Sequence, residues 1–376
     1  MAMEIVAAKG SILVDSEGKE FIDLISGIAV NNFGHQHPDI VRAIRTQAER
    51  YAHVMVYGEY AQAIQLEVTE KLASLLPDGL DVCYFVNSGT ESIEASIKLA
   101  KRYTGRNKIC SFRGAYHGST NGSLSISDNE YRKSAFRPLM PDVHFLELNN
   151  SEQLNWIDKD TAAVFLETIQ GDAGVRIPDQ AWVKALRARC NEVGALLVFD
   201  EIQCGIGRTG KFFAFEHYDI QPDILCLGKA LGGGIPIGVF VSSEEIMSSL
   251  QNDPALGHIT TFGGNPIACA AASKVLDLLQ EPELMEHVEQ KGKWIAEQLF
   301  LPVVKEIRQI GMMLAVDLSS SEEVDQVIAY CLEQGVCLFR FLSHPYSFRV
   351  APPLNIEQEH LDLGIAVVRN ALNKLR

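Results

Sequence analysis

The sequence lacks any excess of positive charge: its formal net charge is −15. That excludes a broad nucleic-acid surface and a face drawn to anionic membranes. An anionic ligand would have to be held by a local group of Arg, Lys or backbone N–H. Cysteine pairing is also missing. The eight cysteines are scattered, without a C-x-x-C pair or zinc-type spacing, and most lie in apolar runs such as "VCYFV" and "ILCLG". Buried thiols are the expectation, and no metal site is. No apolar run reaches membrane-spanning length, and "MAMEIVAAKG" has no basic stretch followed by an apolar core. A cytoplasmic protein is expected. Repeats, low-complexity tracts and long linkers are absent. What is present is 376 residues, 47% apolar and 22% charged, enough for one large α/β unit with an appendage.

The middle of the chain alternates short apolar runs with amphipathic stretches. Runs at 82–86, 108–112, 143–148, 162–167, 195–199, 223–228 and 238–242 have the length and composition of buried strands. In 91–103, Ile93, Ile97, Ala100 and Tyr103 share a helical face, and 179–194 behaves likewise, ending at Gly194. Such alternation predicts a largely parallel sheet, with its binding crevice at the strands' carboxyl ends. Long helical stretches at 266–300 and 357–375 flank the strand-like "GMMLAVDL" and "GVCLFRF", which predicts a smaller α+β lobe. "SILVDSEG" and "EFIDLIS" add two short strand-like pieces near the start.

Within "FDEIQCGIGRTGK", Gly205, Gly207 and Gly210 have the spacing of a dinucleotide-binding turn. The context does not fit. Such a turn leaves a strand directly and opens a helix. Here Asp200 to Gln203 separate the strand from Cys204, and the aromatic-rich "KFFAFEHYDI" follows. The glycines are read as a loop, and Asp200 as the informative residue.

Three stretches could carry chemistry. In "VNSGTESIEA" a strand enters Asn87-Ser88-Gly89-Thr90 and a helix starts at once, giving a phosphate cradle or plain helix capping. Asp200 ends a buried strand, where a carboxylate is costly unless a cation meets it. Lys229, in "PDILCLGKALGGGIPIG", follows another strand, where desolvation lowers an amine's pKa and frees it as a nucleophile. A phosphate cradle, a carboxylate for a ring nitrogen and a Schiff-base lysine together are what pyridoxal phosphate requires.

"VNSGTE", "AYHGST", "LETIQGDAG", "LLVFDEIQCGIGRTG", "PDILCLGKALGGGIPIG", "TTFGGNPIACAA" and "FRVAPPLNI" stand in the order and spacing of the class III (ω-amino) pyridoxal phosphate aminotransferases. The chain resembles the acetylornithine/ornithine branch from about residue 10 to its end. The resemblance implies an α/β fold like that of aspartate aminotransferase (fold type I). Residues 1–47 would contribute to the small domain, 48–262 would form the large cofactor domain and 263–376 the small domain. It implies that Lys229 binds the cofactor aldehyde and shuttles protons, while Asp200 pairs with the ring nitrogen. Gln203 would contact the ring hydroxyl, Tyr116 would stack on the ring with His117 beside it, and Glu167 would line the site. Ser88, Gly89 and Thr90 would hold the phosphate, with Thr261 reaching the neighbouring active site of a homodimer. Arg349 would bind the α-carboxylate of glutamate or 2-oxoglutarate. His35 and His37 fall in a structural turn of the family.

Three departures bear on the substrate. Ser119 stands where acetylornithine enzymes carry an Arg that grips the donor's distal carboxylate; a donor bearing that carboxylate is not expected unless Arg113, Arg132 or Arg137 substitutes. Ile28 stands where ornithine enzymes carry Tyr, and Asp172 replaces a gating Glu. The expected reaction is transfer from a terminal primary amine, such as an acylated ornithine or related diamine, to 2-oxoglutarate, in a less charged pocket. An aminomutase or racemase of the same fold is the alternative.

Overall fold

Three short strands open the chain in the computed structural model, which describes residues 3–55 and 58–375: β1 (Ile5–Lys9), β2 (Ile12–Asp15) and β3 (Glu20–Asp23). The second and third lie where the sequence pattern put them. The first is mostly exposed, so it leaves no buried apolar signature.

All seven apolar runs of the middle region enter one sheet. They are β4 (Val82–Val86), β5 (Lys108–Phe112), β6 (Val143–Leu146), β7 (Thr161–Glu167), β8 (Leu196–Asp200), β9 (Ile224–Leu227) and β10 (Gly238–Ser242), in the order β4-β10-β9-β8-β7-β5-β6. Only β10 runs against its neighbours. Strands β7 and β8 are buried along their whole length, as a sheet covered on both faces requires. Alternate residues feed two separate cores: Leu197 and Phe199 face one, Leu196 and Val198 the other. The Gly89–Thr104 helix covers the second face, and the Gln180–Val193 helix contributes Trp182 and Leu186 to the first. Its stop at Gly194 (φ +70°) is as the pattern predicts.

The stretch 266–300 is two helices, Pro266–Leu279 and Leu284–Leu299. Pro282 cannot continue a helix, and Glu283 turns the chain at φ +65°. Beyond them, β11 (Glu306–Ile310), β12 (Met313–Asp317), β14 (Phe339–Arg340) and β15 (Ser347–Val350) form a sheet in the order β11-β12-β15-β14. The intervening β13 (Val336–Cys337) instead pairs in parallel with β3, so the C-terminal region completes the N-terminal sheet.

The glycine segment after β8 is a series of turns wrapped around Arg208. Gly207 and Gly210 both sit at φ +81°, and a Cβ at Gly205 would lie 2.8 Å from the Glu201 carbonyl. Arg208 is fully buried and donates to the carbonyls of Met312 (2.9 Å) and Pro352 (2.7 Å), to Ser26 and to Asn32. One guanidinium thus ties the N-terminal segment, the large sheet and the C-terminal sheet together. Burial pushes its pKa down to about 9. No α-helix opens here, so the nucleotide-turn geometry is absent.

All eight cysteines are free, and seven are buried. No helix among the described residues is long and apolar enough to cross a membrane.

Candidate active site

The carboxyl ends of β7, β8 and β9 deliver Glu167, Asp200 and Lys229 to one cleft of about 260 Å³. Glu167 and Asp200 are direct partners in the β7–β8 register. Asp200 is buried. Its Oδ2 lies 2.7 Å from His117 Nδ1, and its Oδ1 accepts the Ile202 N–H at 3.0 Å. With Nδ1 bound to Asp200, the opposite ring nitrogen, His117 Nε2, is buried and has no partner.

Glu167 accepts the N–H groups of Tyr116 (2.7 Å) and Gly171 (2.9 Å). Burial nevertheless pushes its carboxyl up to about 7, aided by the Asp200 charge and opposed by His117. Lys229 keeps part of its surface open to the cleft and is otherwise enclosed by protein. Burial pushes its amine below the ordinary lysine range, and Asp200 and Glu167 oppose the shift. Its backbone sits at φ +41° at the start of the short 3₁₀ turn Lys229–Gly232, a conformation costing about 1 kcal/mol or more outside glycine.

At the start of the Gly89–Thr104 helix, Ser88 is the cap: its hydroxyl accepts the Glu91 N–H at 3.4 Å. Capping therefore operates, and Ser88 does not line the cleft, whereas Gly89 and Thr90 do. Thr90 Oγ1 meets the hydroxyls of Ser123 (2.6 Å) and Thr120 (2.8 Å). Two glycines let the backbone pack tightly at this end. A Cβ at Gly89 would lie 2.7 Å from the Ile202 side chain, and one at Gly118 only 2.3 Å from Thr90 Oγ1. Tyr116 stands at the mouth, 37% exposed, with its hydroxyl 3.3 Å from that of Ser119.

Gln203 connects the cleft to an adjoining pocket that it lines with Ile28 and Arg349. Arg349, on β15, is buried over the Phe341 ring, with its Nη2 3.4 Å from Asp172 Oδ1. Asp172 is thus the acidic neighbour of Arg349. Arg132 Nη1 approaches the other Asp172 oxygen, also at 3.4 Å. Of the three arginines considered as substitutes at Ser119, Arg113 is paired with Asp128 and Arg137 with Glu130. Arg132 alone is paired with Asp172, which lines the cleft. The expectation of a less charged pocket fails on that side.

Thr261 lies apart from these residues, exposed on the segment leading to the Pro266–Leu279 helix. His35 is bonded to Asp23 (2.9 Å), and no group of His, Cys, Asp or Glu suited to a metal occurs among the described residues. Larger hollows lie elsewhere, among them one of about 440 Å³ beside β4 and one of about 810 Å³ beside β1 and β2. Neither brings a buried amine to a carboxylate pair. Sequence reasoning missed Ile202, which packs against Gly89 and Gly228 on the cleft floor.

Residues 1–372 match the family model for class III aminotransferases. The chain is 41% identical over 373 residues to acetylornithine aminotransferase from Methanopyrus kandleri, covering 98% of this chain and 94% of that protein. Among solved structures it resembles a transaminase from the marine bacterium Virgibacillus, with a TM-score of 0.93 and 28% identity over 100% of this chain and 93% of the other. It also resembles the ornithine aminotransferase of Toxoplasma gondii, a structure with partial pyridoxal phosphate occupancy, with a TM-score of 0.90 and 28% identity over 99% and 90%. The α/β fold, the part-buried lysine in the cleft and the matched sequence agree: the chain belongs to the class III aminotransferases, a pyridoxal phosphate-dependent family.

Proposed function

We propose that this cleft moves an amino group from the terminal primary amine of a donor, such as an acylated ornithine or related diamine, to 2-oxoglutarate. The observation that carries the reading is the placement of Lys229 and Asp200 at the ends of adjacent strands, with Arg349 one residue layer away. The residues fit the cofactor. Gly89 and Thr90 bring a helix start to the cleft, and Asp200 presents a buried carboxylate that its neighbours hold in place.

When bound, pyridoxal phosphate supplies an electron sink for the carbon that carries the amine. Asp200 would hold the ring nitrogen in its protonated form, and His117 would keep Asp200 oriented by donating from Nδ1. Gly89 and Thr90 at the helix start would hold the phosphate, using unpaired N–H groups and the positive dipole end, with Ser88 supporting them as the helix cap. Tyr116 would cover one ring face, and Gln203 would meet the ring hydroxyl. Glu167 would line the site. Lys229 would hold the aldehyde and then carry a proton to and from the donor carbon, a task suited to an amine whose pKa lies below the ordinary range.

Arg349 would grip the acceptor's α-carboxylate, with Asp172 offsetting its charge between substrates. Thr261, exposed here, would complete the phosphate site of a second copy in a homodimer. A cytoplasmic setting belongs to the same reading. The test is a panel of ornithine, acetylornithine, succinylornithine, lysine, putrescine and 4-aminobutyrate, each with 2-oxoglutarate. Glutamate formed from at least one ω-amine is expected. Exchange confined to α-amines would contradict the proposal.

A further inference from the structure

We infer that Arg132 holds the second carboxylate of a dicarboxylate acceptor, opposite Arg349; this rests on the amino-transfer reading above. Arg132 belongs to a one-turn helix, Glu130–Lys133, whose end residues Glu130 and Lys133 are engaged elsewhere. The Asn129 side chain caps the turn by accepting the Arg132 N–H at 3.3 Å. Lys133 is buried and donates to the carbonyls of Ser125 (3.1 Å) and Ser127 (2.8 Å), with its amine 4.5 Å from the Phe145 ring centroid. Arg137 grips Glu130 with two nitrogens. The turn is therefore pinned on both flanks. The Arg132 side chain, 29% exposed, lies 6.0 Å from the Tyr116 ring at the cleft mouth.

Asp172 does not satisfy it. Asp172 Oδ2 already accepts the Ser343 hydroxyl at 2.7 Å, and Oδ1 accepts the Leu342 N–H at 3.2 Å. Two guanidiniums share this one carboxylate, each at 3.4 Å. Formed charge-assisted hydrogen bonds are shorter, about 2.7–2.9 Å. One positive charge is left over at the cleft wall of a chain whose net charge is −15. Arg349 Nε is also buried without a partner. The wall is built for more negative charge than Asp172 brings.

Because both nitrogens approach the same carboxylate, they lie within about 9 Å of each other. The end carbons of an extended five-carbon diacid are about 5 Å apart across four C–C bonds. One such molecule can bring a separate carboxylate to each arginine, whereas a monocarboxylate leaves the two to share one, as Asp172 already does. The hydroxyls of Ser119 and Tyr116 at this mouth bring no charge.

The test is calorimetric titration of the wild-type, R132Q, R132K and R349Q holoenzymes with glutarate, an unreactive five-carbon diacid, and with butyrate. Parallel kcat/KM measurements would use 2-oxoglutarate and pyruvate. Wild type should prefer glutarate to butyrate. R132Q should lose about 10- to 100-fold in glutarate affinity with butyrate unchanged, the effect of removing one hydrogen-bonded charge. R132K should recover part of the loss, and R349Q should weaken both ligands. Equal melting temperatures for R132Q and wild type would exclude misfolding; if R132Q is unstable, R132K carries the test through a smaller loss confined to glutarate. A wild-type enzyme that uses 2-oxoglutarate while R132Q keeps the full glutarate preference would overturn Arg132 alone. A wild type without preference for either diacid would overturn the dicarboxylate reading as well.

Discussion

The floor of the cleft and its outer wall hold their charged groups at different distances. On the floor, Asp200 and His117 meet at 2.7 Å, and Glu167 takes two backbone N–H groups at 2.7 and 2.9 Å. Glu167 and Asp200 sit on adjacent, fully buried parallel strands, with Lys229 just past the next strand. On the wall, Asp172 meets Arg132 and Arg349 at 3.4 Å each, and these come from a loop, a one-turn helix and the C-terminal sheet. The cofactor chemistry needs a fixed carboxylate and amine, which strand ends provide. Alternating substrates need groups that can exchange partners, which long contacts between separate elements allow.

The largest effect should come from breaking the floor at its centre. Lys229→Ala should abolish transfer, measured by glutamate formation and by loss of the cofactor colour change on adding donor. Retained turnover would remove the lysine from its role. Asp200→Asn keeps the shape and loses the charge, so kcat should fall by about 10²–10³-fold while bound cofactor, measured by absorbance, stays near wild type. Arg349→Gln acts on the wall. It should slow the glutamate half-reaction by about 10–100-fold and spare the donor half-reaction, in single-turnover absorbance traces.

A pH experiment sharpens the contrast from the floor's side. Glu167 keeps its proton to about pH 7 in the fold, against 4.5 for an ordinary glutamate. Between those values the folded chain binds the extra proton, so this group's contribution to stability falls as pH rises through the window. The melting temperature of wild type relative to Glu167→Gln should therefore drop between pH 5 and pH 8; a constant difference would contradict the buried protonated carboxyl. Ser119→Ala should change kcat/KM by less than about threefold, because an exposed hydroxyl contact of 3.3 Å contributes little.

The same division governs what could be read from sequence. The floor was legible because β7, β8 and β9 are short apolar runs that end in a charged residue or just before one, and parallel strands put such ends on one edge. The turn from β5 to His117 was legible only through the family motif, since nothing in "AYHGST" itself points a histidine at Asp200. The wall depends on contacts between residues 40 to 177 positions apart, Arg132, Asp172 and Arg349. No local pattern records such pairings, so Arg132 could be named only as one of three arginines. Arg208 shows the converse. Its glycine-flanked motif imitates a nucleotide turn, but its donors end on carbonyls and polar side chains from three parts of the chain. Helical spacing continues on both sides of Pro282, so periodicity alone does not mark the break between the Pro266–Leu279 and Leu284–Leu299 helices.

The most direct test is to reduce the holo-protein with borohydride, digest it and map the cofactor-bearing peptide by mass spectrometry. The adduct should lie on Lys229 and vanish in Lys229→Ala. An adduct on any other lysine, or none on a coloured protein, would contradict the account at its root.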